Sequence, residues 1–205
     1  MNKGQIINDL PLMEQYYSVQ GEGYYTGRPA VFIRLAGCDV GCVWCDVKES
    51  WHKESHPLVS INTIVEDVLK TGCTFVVITG GEPSLYDLSF LTTALKTHGI
   101  DIAIETSGTN PLKGELSWVT FSPKKFKKPL EDYYLFSDEL KLVINHKSDL
   151  KWATEQADKI RSGCYLFLQS EWSKMDEMIP LILDYIKCNP KWRLSLQTHK
   201  FINVP

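Results

Sequence analysis

The chain has 205 residues, of which 43% are hydrophobic and 23% are charged, and its formal net charge at pH 7 is −3. These values are typical of one soluble globular domain over residues 1–205, and they lack the basic surplus of a nucleic-acid-binding protein. No apolar run approaches the ~20 residues of a membrane span, and the N-terminal stretch lacks the apolar core of a signal peptide. We therefore expect a cytoplasmic protein that binds neither nucleic acid nor membrane.

Short apolar segments alternate with helical patterns along the chain. The predicted strands are residues 14–20, 30–36, 75–78, 100–104, 118–121, 140–144, 165–168 and 193–196. Helical spacing of apolar residues is predicted at 60–72, 88–99, 148–161 and 178–186. Ser60 and Ser148 are the expected N-caps of the first and third of these helices. Residues 46–59 are polar and irregular, and residues 124–134 are predicted to form a surface excursion.

The unusual polar residues of the chain come directly after predicted strands. This position is shared by the cysteine loop, Gly80-Gly81-Glu82-Pro83, Glu105-Thr106-Ser107-Gly108 and Gln197-Thr198-His199-Lys200. Alternating strands and helices predict βα units around a parallel sheet. In (β/α) barrels the active site lies at the C-terminal ends of the strands. With six or seven strands counted from residues 30–36 onward, we expect an incomplete (β/α) TIM-type barrel whose polar strand ends form the active site.

Three cysteines at C-x3-C-x2-C spacing, Cys38, Cys42 and Cys45, follow the second predicted strand. Iron–sulfur clusters are commonly held by Cys thiolates, usually four of them, so three leave one metal position open to a small molecule. The alternative is a structural zinc site with His52 or His56 as the fourth ligand. We predict that the three remaining cysteines are buried and act as small hydrophobic residues: Cys73, Cys164 and Cys188.

Together, the cysteine triplet and the Gly-Gly-Glu-Pro stretch resemble the radical S-adenosylmethionine (SAM) enzymes. The resemblance implies that SAM chelates the open iron of a [4Fe–4S] cluster held by Cys38, Cys42 and Cys45, and that the reduced cluster cleaves SAM to a 5′-deoxyadenosyl radical. Further stretches across nearly the whole chain, including Gln20–Gly23, Arg34 and the terminal LQTHK, resemble the 7-carboxy-7-deazaguanine synthases. That family contracts the ring of 6-carboxy-5,6,7,8-tetrahydropterin and releases ammonia, on the route to queuosine and related deazapurines.

The family's functional residues can be carried over to matching positions of this chain. The resemblance implies that SAM is lined by Trp44, Asp46, Gly81, Ser107, Ser122, Pro123, Lys124 and Gln169. It implies that the pterin is bound by Val19, Gln20, Gly21, Glu22, Arg34, Thr79, His199 and Pro205. Arg34 suits a carboxylate, which its guanidinium matches in two parallel hydrogen bonds, although a lone Arg in an apolar strand is alternatively a structural ion-pair partner. No side chain is an obvious general base.

One position departs from the family pattern. Family members usually carry Thr two residues after the last cysteine, where its hydroxyl helps to bind Mg²⁺, but this chain carries Val47. Mg²⁺ requires oxygen ligands, which Val does not offer. Either water occupies the position, or Asp46 or a Ser compensates, or the enzyme depends less on Mg²⁺. The resemblance also implies a homodimer and an external flavodoxin- or ferredoxin-like electron donor.

Two other functions fit parts of the pattern. A different radical SAM enzyme, such as a glycyl-radical activating enzyme, would share the cysteines and the Gly-Gly-Glu-Pro stretch. A non-enzymatic zinc-stabilised or electron-transfer module would share only the clustered thiolates.

Overall fold

The computed structural model describes residues 9–205, which form a nine-stranded sheet with helices on its outer face. The strands of this described part are β1 (Asp9–Val19), β2 (Pro29–Leu35), β3 (Leu58–Ser60), β4 (Phe75–Gly80), β5 (Asp101–Thr106), β6 (Trp118–Phe121), β7 (Glu139–Ile144), β8 (Tyr165–Ser170) and β9 (Trp192–Ser195). Their order across the sheet is β3-β1-β2-β4-β5-β6-β7-β8-β9, so β3 and β9 are edges and the sheet does not close. This is the incomplete barrel that the sequence predicted.

Seven neighbouring strands of the sheet run parallel, as expected, and these are β2, β4, β5, β6, β7, β8 and β9. One edge of the sheet is antiparallel, because β1 pairs in that direction with both β2 and β3. A parallel connection requires a crossover of a dozen or more residues, and residues 20–28 between β1 and β2 are too few. The predicted first strand also began too late, because β1 starts at Asp9.

Six helices are present in the described residues. They are α1 (Ile61–Lys70), α2 (Ser89–Thr97), α3 (Tyr133–Phe136), α4 (Asp149–Ala157), α5 (Met175–Cys188) and α6 (Thr198–Ile202). Ser60 caps α1 as predicted, because its hydroxyl accepts a hydrogen bond from the Thr63 N–H at 3.1 Å. Ser148 makes no such side-chain bond at the start of α4. The Asp149 carboxylate instead accepts from the backbone N–H groups of Asn145 and His146, at 2.9 Å each.

Two loop regions also differ from the prediction. Residues 46–59 contain two short 3₁₀ turns and the edge strand β3, which pairs with the first three residues of β1. Residues 124–132 are mostly exposed, as predicted, but Tyr133 and Tyr134 at the end of this stretch are buried against Phe121. Their aromatic rings fill the space between the sheet and this connection, where no long helix covers β6.

Side chains alternate between the two faces of each strand, and this alternation separates the core from the cavity. On the outer face, aliphatic residues pack against the helices; the buried members include Ile33, Ile78, Ile104, Leu142 and Leu168. The inner face carries a smaller apolar cluster low in the barrel, formed by Ala30, Phe32, Phe75, Val77 and Ala103. At the next inner position, two residues further along the strand, the side chains become polar, as at Arg34, Thr79 and Glu105. The barrel is therefore closed below by apolar packing and carries polar side chains at the top.

Among the described helices, none is both long and apolar enough to cross a membrane.

Candidate active site

A cavity of about 460 Å³ opens at the C-terminal ends of the strands. Three cysteines and nearly all the other predicted site residues line it. Lining positions include Trp44, Asp46, Gly81, Ser107, Ser122, Lys124 and Gln169 of the SAM set, and Val19, Gln20, Gly21, Glu22, Arg34, Thr79, His199 and Pro205 of the pterin set. Pro123 is the exception, because it is buried beside the cavity without lining it. The structure thus brings together residues that lie up to 186 positions apart.

The cysteine loop is held over the end of β2 by backbone hydrogen bonds. The Gly37 N–H donates to the Ser50 carbonyl at 2.6 Å, and the Cys38 N–H donates to the Trp51 carbonyl at 3.2 Å. Gly81 packs so closely against this loop that a Cβ there would overlap the Gly37 carbonyl oxygen. Glycine is therefore required at position 81 for steric reasons, and it places the end of β4 directly beside the first cysteine.

The three loop thiols are free and face the same cavity. Burial raises the pKa of Cys42 to about 11, with Cys45 and Cys38 also raising it and Lys124 opposing them. Gathered thiols of this kind fit a soft metal cluster, because binding to iron replaces their protons and relieves the mutual repulsion of thiolates. A [4Fe–4S] cluster places each thiolate on a different iron, so the three need not converge on a single point.

A single zinc ion fits less well. Within residues 9–205, no three His, Cys, Asp or Glu side chains converge on a site for one metal ion. Neither His52 nor His56 lines the cavity, and the His56 ring is hydrogen-bonded to the Glu49 carbonyl at 2.8 Å. The other cysteines lie away from the loop, and the prediction that all are buried was wrong. Cys188 is exposed at the end of α5, whereas Cys73 and Cys164 are half-buried.

Glu82, between the cysteine loop and the end of β5, is a buried carboxylate that binds five donors. It accepts from the backbone N–H of Ser84 at 3.0 Å and of Ser107 at 2.8 Å. The hydroxyls of Ser84, Thr106 and Ser107 also donate to it. These hydrogen bonds fix Ser107 on the wall of the cavity. Glu82 therefore links the end of β4 to the end of β5.

On the opposite wall, Lys124 follows β6 and reaches back into the cavity. Its ammonium donates to the Ser122 carbonyl at 2.6 Å and to the Ser122 hydroxyl at 2.7 Å, and it lies 5.7 Å from the centre of the Trp44 ring. Burial lowers the pKa of Lys124. Gln169, at the end of β8, is held by the Ser195 hydroxyl, which donates to its side-chain oxygen at 2.7 Å.

An ion cluster forms the floor of the cavity. The Lys141 ammonium lies 2.5 Å from Glu22 Oε2 and 2.6 Å from Glu105 Oε2. The Gln20 side-chain amide donates to Glu105 Oε1 at 3.1 Å, and the Gln197 amide donates to Glu22 Oε1 at 2.9 Å. These contacts connect the end of β1, the inner face of the barrel and the C-terminal segment.

Burial would raise the pKa of Glu22, but Lys141 outweighs it and holds the pKa well below its ordinary value. Below the cluster, Glu139 accepts hydrogen bonds from the Tyr24 N–H and the Trp118 indole, at 3.1 and 3.3 Å. Burial raises the pKa of Glu139 to about 7, against the opposing effect of Lys141.

The C-terminal segment folds back onto the loop that follows β1. The Thr198 N–H donates to the Gly21 carbonyl at 2.9 Å, and the Ser18 hydroxyl donates to a terminal oxygen of Pro205 at 2.9 Å. His199 packs so closely on Gly21 that a Cβ at position 21 would overlap its ring. Burial lowers the pKa of His199, although Glu22 opposes the shift, which favours the neutral imidazole.

Arg34 lies on the inner face of β2, and its guanidinium bonds to Glu14 at 2.6 Å and to the Tyr16 hydroxyl at 3.1 Å. The ion-pair alternative for this residue is therefore present in the structure. The two bonds use two of the five N–H donors of a guanidinium. Since Arg34 also lines the cavity, its remaining donors are available to an anion there.

Val47 lines the cavity beside Asp46, and its side chain offers no oxygen to a hard cation. The Asp46 carboxylate accepts from Lys200 at 2.7 Å and from Gln197 at 3.3 Å. Both donors bind the same oxygen, Oδ2, and the lysine brings a positive charge to the position. With an apolar Val47 and an ammonium beside Asp46, this position is less favourable for a divalent cation than one that carries a Thr hydroxyl.

Sequence reasoning assigned no role to several polar residues of the site, namely Glu82, Glu105, Lys141, Gln197 and Lys200. A signal for two of them was present: counting by two along β5 from Ala103 and along β7 from Glu139 places Glu105 and Lys141 on the inner face. The roles of Gln197 and Lys200 depend on the C-terminal segment folding back onto the end of β1, a contact that no local pattern reveals.

Comparisons with known proteins agree with this geometry. The family model of the radical SAM superfamily matches residues 32–130. The chain is 51% identical over 205 residues to 7-carboxy-7-deazaguanine synthase of Flavobacterium psychrophilum, covering 100% of this chain and 96% of that protein. It is 45% identical over 194 residues to the synthase of the same name from Synechocystis sp., covering 95% and 93% of the two chains.

The same name is carried by a protein of Escherichia coli that is 38% identical over 224 residues, covering 95% of this chain and 98% of that protein. Among solved structures, the crystal structure of QueE from Escherichia coli superposes with a TM-score of 0.80 at 32% identity, covering 92% of this chain and 93% of that chain. Similarity of this extent, at full length and in both sequence and fold, establishes the family. The chain belongs to the 7-carboxy-7-deazaguanine synthase family of radical SAM enzymes.

Proposed function

We propose that this enzyme converts 6-carboxy-5,6,7,8-tetrahydropterin to 7-carboxy-7-deazaguanine with release of ammonia. The observation that carries the proposal is a single cavity that combines three cluster-binding thiols with groups suited to a carboxylated pterin. Neither half alone is specific to this reaction, because other radical SAM enzymes share the thiols. The names of the full-length relatives support the same product.

Membership of the radical SAM family implies a [4Fe–4S] cluster and SAM. We assign the cluster to Cys38, Cys42 and Cys45. When bound, the reduced cluster and SAM supply a carbon-centred radical that removes a hydrogen atom from the substrate. We assign the surrounding polar wall to SAM, which would meet Trp44, Asp46, Gly81, Ser107, Ser122, Lys124 and Gln169. Buried Pro123 would support this wall from behind.

The residues assigned to the pterin surround the floor and the open side of the cavity. Glu22 is ionised at neutral pH and offers an acceptor to the N–H groups of an aminopyrimidinone ring, and Gln20 lies beside it. Arg34 carries a positive charge for the substrate carboxylate. Further contacts would come from Val19, Gly21, Thr79, His199 and the terminal carboxylate of Pro205.

The chain's own contribution to the reaction is to hold and orient the substrate and to limit the access of water. The apolar packing below the ion cluster closes the barrel, so the substrate enters from the strand ends. The neutral imidazole of His199 is able to accept a hydrogen bond at neutral pH or to donate one, and the ammonium of Lys141 keeps its proton between two carboxylates. Fixed hydrogen-bonding groups of this kind lower the cost of reaching the reacting geometry.

We further propose that Mg²⁺ contributes less to this enzyme than to family members with Thr after the cysteine motif. The support is the apolar side chain of Val47 and the engagement of Asp46 by Lys200. We also propose a homodimer, a flavodoxin- or ferredoxin-like electron donor and a cytoplasmic location, where thiolates stay reduced. These three proposals rest on the family resemblance.

The proposed reaction is tested by incubating anaerobically reconstituted enzyme with dithionite, SAM and 6-carboxytetrahydropterin. We expect 7-carboxy-7-deazaguanine and ammonium in equal amounts, separated and quantified by chromatography. A Cys42→Ala variant serves as the matched control and should form neither. Formation of 5′-deoxyadenosine without conversion of the pterin would leave the family membership intact and reject this substrate.

A further inference from the structure

Lys141 is the most completely enclosed cation of the cavity. Its side chain is 4% exposed, and its ammonium lies between the carboxylates of Glu22 and Glu105 at 2.5 and 2.6 Å. Glu22 comes from the loop after β1, and Glu105 comes from β5. One oxygen of each carboxylate contacts Lys141, and the other accepts a hydrogen bond from a glutamine amide. The glutamine is Gln197 for Glu22 and Gln20 for Glu105. The orientation of both carboxylates is therefore fixed on either side of a shared cation.

This arrangement has an electrostatic consequence. Two carboxylates in a water-poor site repel each other, and burial favours the protonated form of each. One shared ammonium opposes both effects. Burial lowers the pKa of Lys141, but Glu105, Glu22 and Glu139 together raise it well above its ordinary value. The ammonium is therefore a fixed charge rather than a proton donor.

Other titratable groups face the cluster from the surrounding elements. They are Glu139 on β7, Lys124 after β6, Asp46 in the cysteine loop and His199 on α6. Glu139 has a pKa of about 7 and is partly neutral, and His199 favours its neutral form. Lys124 is turned toward the Ser122 oxygens, and Asp46 is bonded to Lys200. None of these groups takes the place of Lys141 between the two carboxylates.

We propose that Lys141 is a positioning residue that keeps Glu22 and Glu105 ionised together and aimed at the N–H edge of the bound heterocycle. The inference rests on the proposed function for the identity of that heterocycle. An aminopyrimidinone presents N–H donors along one edge, and ionised carboxylates are acceptors only. Hydrogen bonds with one charged partner are about twice as strong as neutral ones, so loss of either charge weakens binding.

Removal of the ammonium should make binding dependent on pH. In Lys141→Met the two buried carboxylates lack their counter-charge, and one takes up a proton near neutral pH. Below the raised pKa, the fraction with both groups ionised falls about tenfold for each pH unit. We expect the KM for the pterin to rise about tenfold between pH 8 and pH 6 in this variant, while the wild-type value changes less than about threefold.

Two further variants separate charge compensation from packing. Lys141→Met/Glu105→Gln removes one carboxylate together with the ammonium and should recover most of the loss at pH 6. Lys141→Arg keeps the positive charge and should keep the shallow pH profile. The matched control is Lys187→Met, which removes another lysine paired with an acidic residue, Asp184, at 3.2 Å on the exposed face of α5. Its KM should stay within about twofold of wild type at every pH.

The binding measurement uses fluorescence titration with 6-carboxypterin, an oxidised analogue without a hydrogen at C6, and the KM and kcat values use 6-carboxytetrahydropterin. A readout independent of any pterin is the infrared carbonyl stretch of protonated carboxyl groups at pH 7. Lys141→Met should show an additional band relative to wild type, and the double variant should lack it. If Lys141→Met is unfolded, the double variant should still fold, since it buries no uncompensated pair of carboxylates.

The outcomes separate the two proposals. If Lys141→Met shows the additional carboxyl band but the wild-type enzyme does not convert the pterin, the proposed substrate is rejected and the role of Lys141 is retained. A pH profile and an infrared spectrum of Lys141→Met that match those of wild type would overturn the role of Lys141. The same conclusion would follow if the double variant failed to restore either folding or binding.

Discussion

The carboxylate of Glu82 accepts a hydrogen bond from the backbone N–H of Ser107 at 2.8 Å and a second from the hydroxyl of the same residue. Glu82 follows β4 and Ser107 follows β5, so the pair joins the ends of neighbouring parallel strands where the cavity opens. The Glu82 side chain is only 1% exposed, and donors from Ser84 and Thr106 complete its shell. The Gly-Gly-Glu-Pro stretch therefore shapes the wall assigned to SAM through its glutamate as well as its glycines.

Glu82→Gln should destabilise this wall. The variant replaces one carboxylate oxygen, which accepts hydrogen bonds, by an NH2 group, which donates them. At least one buried N–H or O–H of Ser107 or Thr106 then lacks an acceptor. We expect the free energy of unfolding to fall by about 2–4 kcal/mol, measured by urea denaturation, and SAM binding to weaken with it. Glu66→Gln on the exposed face of α1 is the control and should change the stability by less than about 0.5 kcal/mol. Equal stabilities of the two variants would contradict this role.

Glu139 should make the stability of the protein decrease as the pH rises. Burial raises its pKa from an ordinary value of 4.5 to about 7, so between these values the native state holds a proton that the unfolded state has lost. Stability from this group is fully present below about pH 4.5 and is lost as the pH rises through 7. Glu139→Gln keeps a neutral side chain at every pH and removes the dependence.

The measurement is urea denaturation of wild type and Glu139→Gln between pH 5 and pH 8. The stability of the variant relative to wild type should increase by about 3 kcal/mol across this range, because one pKa unit corresponds to about 1.4 kcal/mol. Glu155→Gln, on the exposed face of α4, should give a constant difference from wild type. A constant difference for Glu139→Gln as well would show that Glu139 titrates normally.

The cysteines should separate into two functional groups. Replacing Cys38, Cys42 or Cys45 by Ala removes one thiolate from the cluster, and we expect loss of bound iron, of the cluster's visible absorbance and of reductive SAM cleavage. Cys188→Ala at the exposed end of α5 and Cys164→Ala should retain all three. Cys164 precedes β8, at the end of the strands opposite to the cysteine loop, so its thiol does not reach the cluster site. Iron loss from Cys164→Ala equal to that from Cys42→Ala would contradict the assignment.

The parallel part of the fold was predictable because each strand and helix is specified locally. The alternation of apolar segments predicts β4 to β9, and the polar residues after each strand indicate the open end of the barrel. The antiparallel edge was not predictable in the same way. Strand β3 has only three residues, and its pairing with Asp9–Pro11 depends on a contact about 50 positions away in sequence. Short strands carry too few residues for a recognisable alternation.

The site residues show the same difference between local and long-range information. Residues inside compact motifs, such as Cys38 and Gly81, were predicted from sequence as site residues, and both line the cavity. Lys141 was missed because a lysine in an otherwise apolar strand belongs to no motif, and its meaning depends on Glu22 and Glu105 from distant elements. Charge pairing in a folded interior is a long-range property, so the sequence indicates the inward direction of Lys141 but not its partners.

Val47→Thr is the last prediction, and it tests the metal requirement at the cysteine loop. The native side chain offers no oxygen to Mg²⁺, and Lys200 already brings a positive charge to Asp46 at 2.7 Å. A Thr hydroxyl restores an oxygen ligand of the kind that Mg²⁺ prefers. We expect the activity of Val47→Thr to increase several-fold more than that of wild type when Mg²⁺ is titrated into chelator-treated enzyme.

Val47→Ser is the matched comparison, because it supplies the hydroxyl without the methyl group, and it should respond to Mg²⁺ like the Thr variant. Val47→Ala supplies neither a hydroxyl nor the native bulk and should respond like wild type. If all four proteins showed the same dependence on Mg²⁺, the side chain at position 47 would have no part in metal binding. Lys200 reaches Asp46 because α6 folds back over the cavity. A lower Mg²⁺ requirement in the wild type would therefore depend on this contact of the C-terminal segment as well as on Val47.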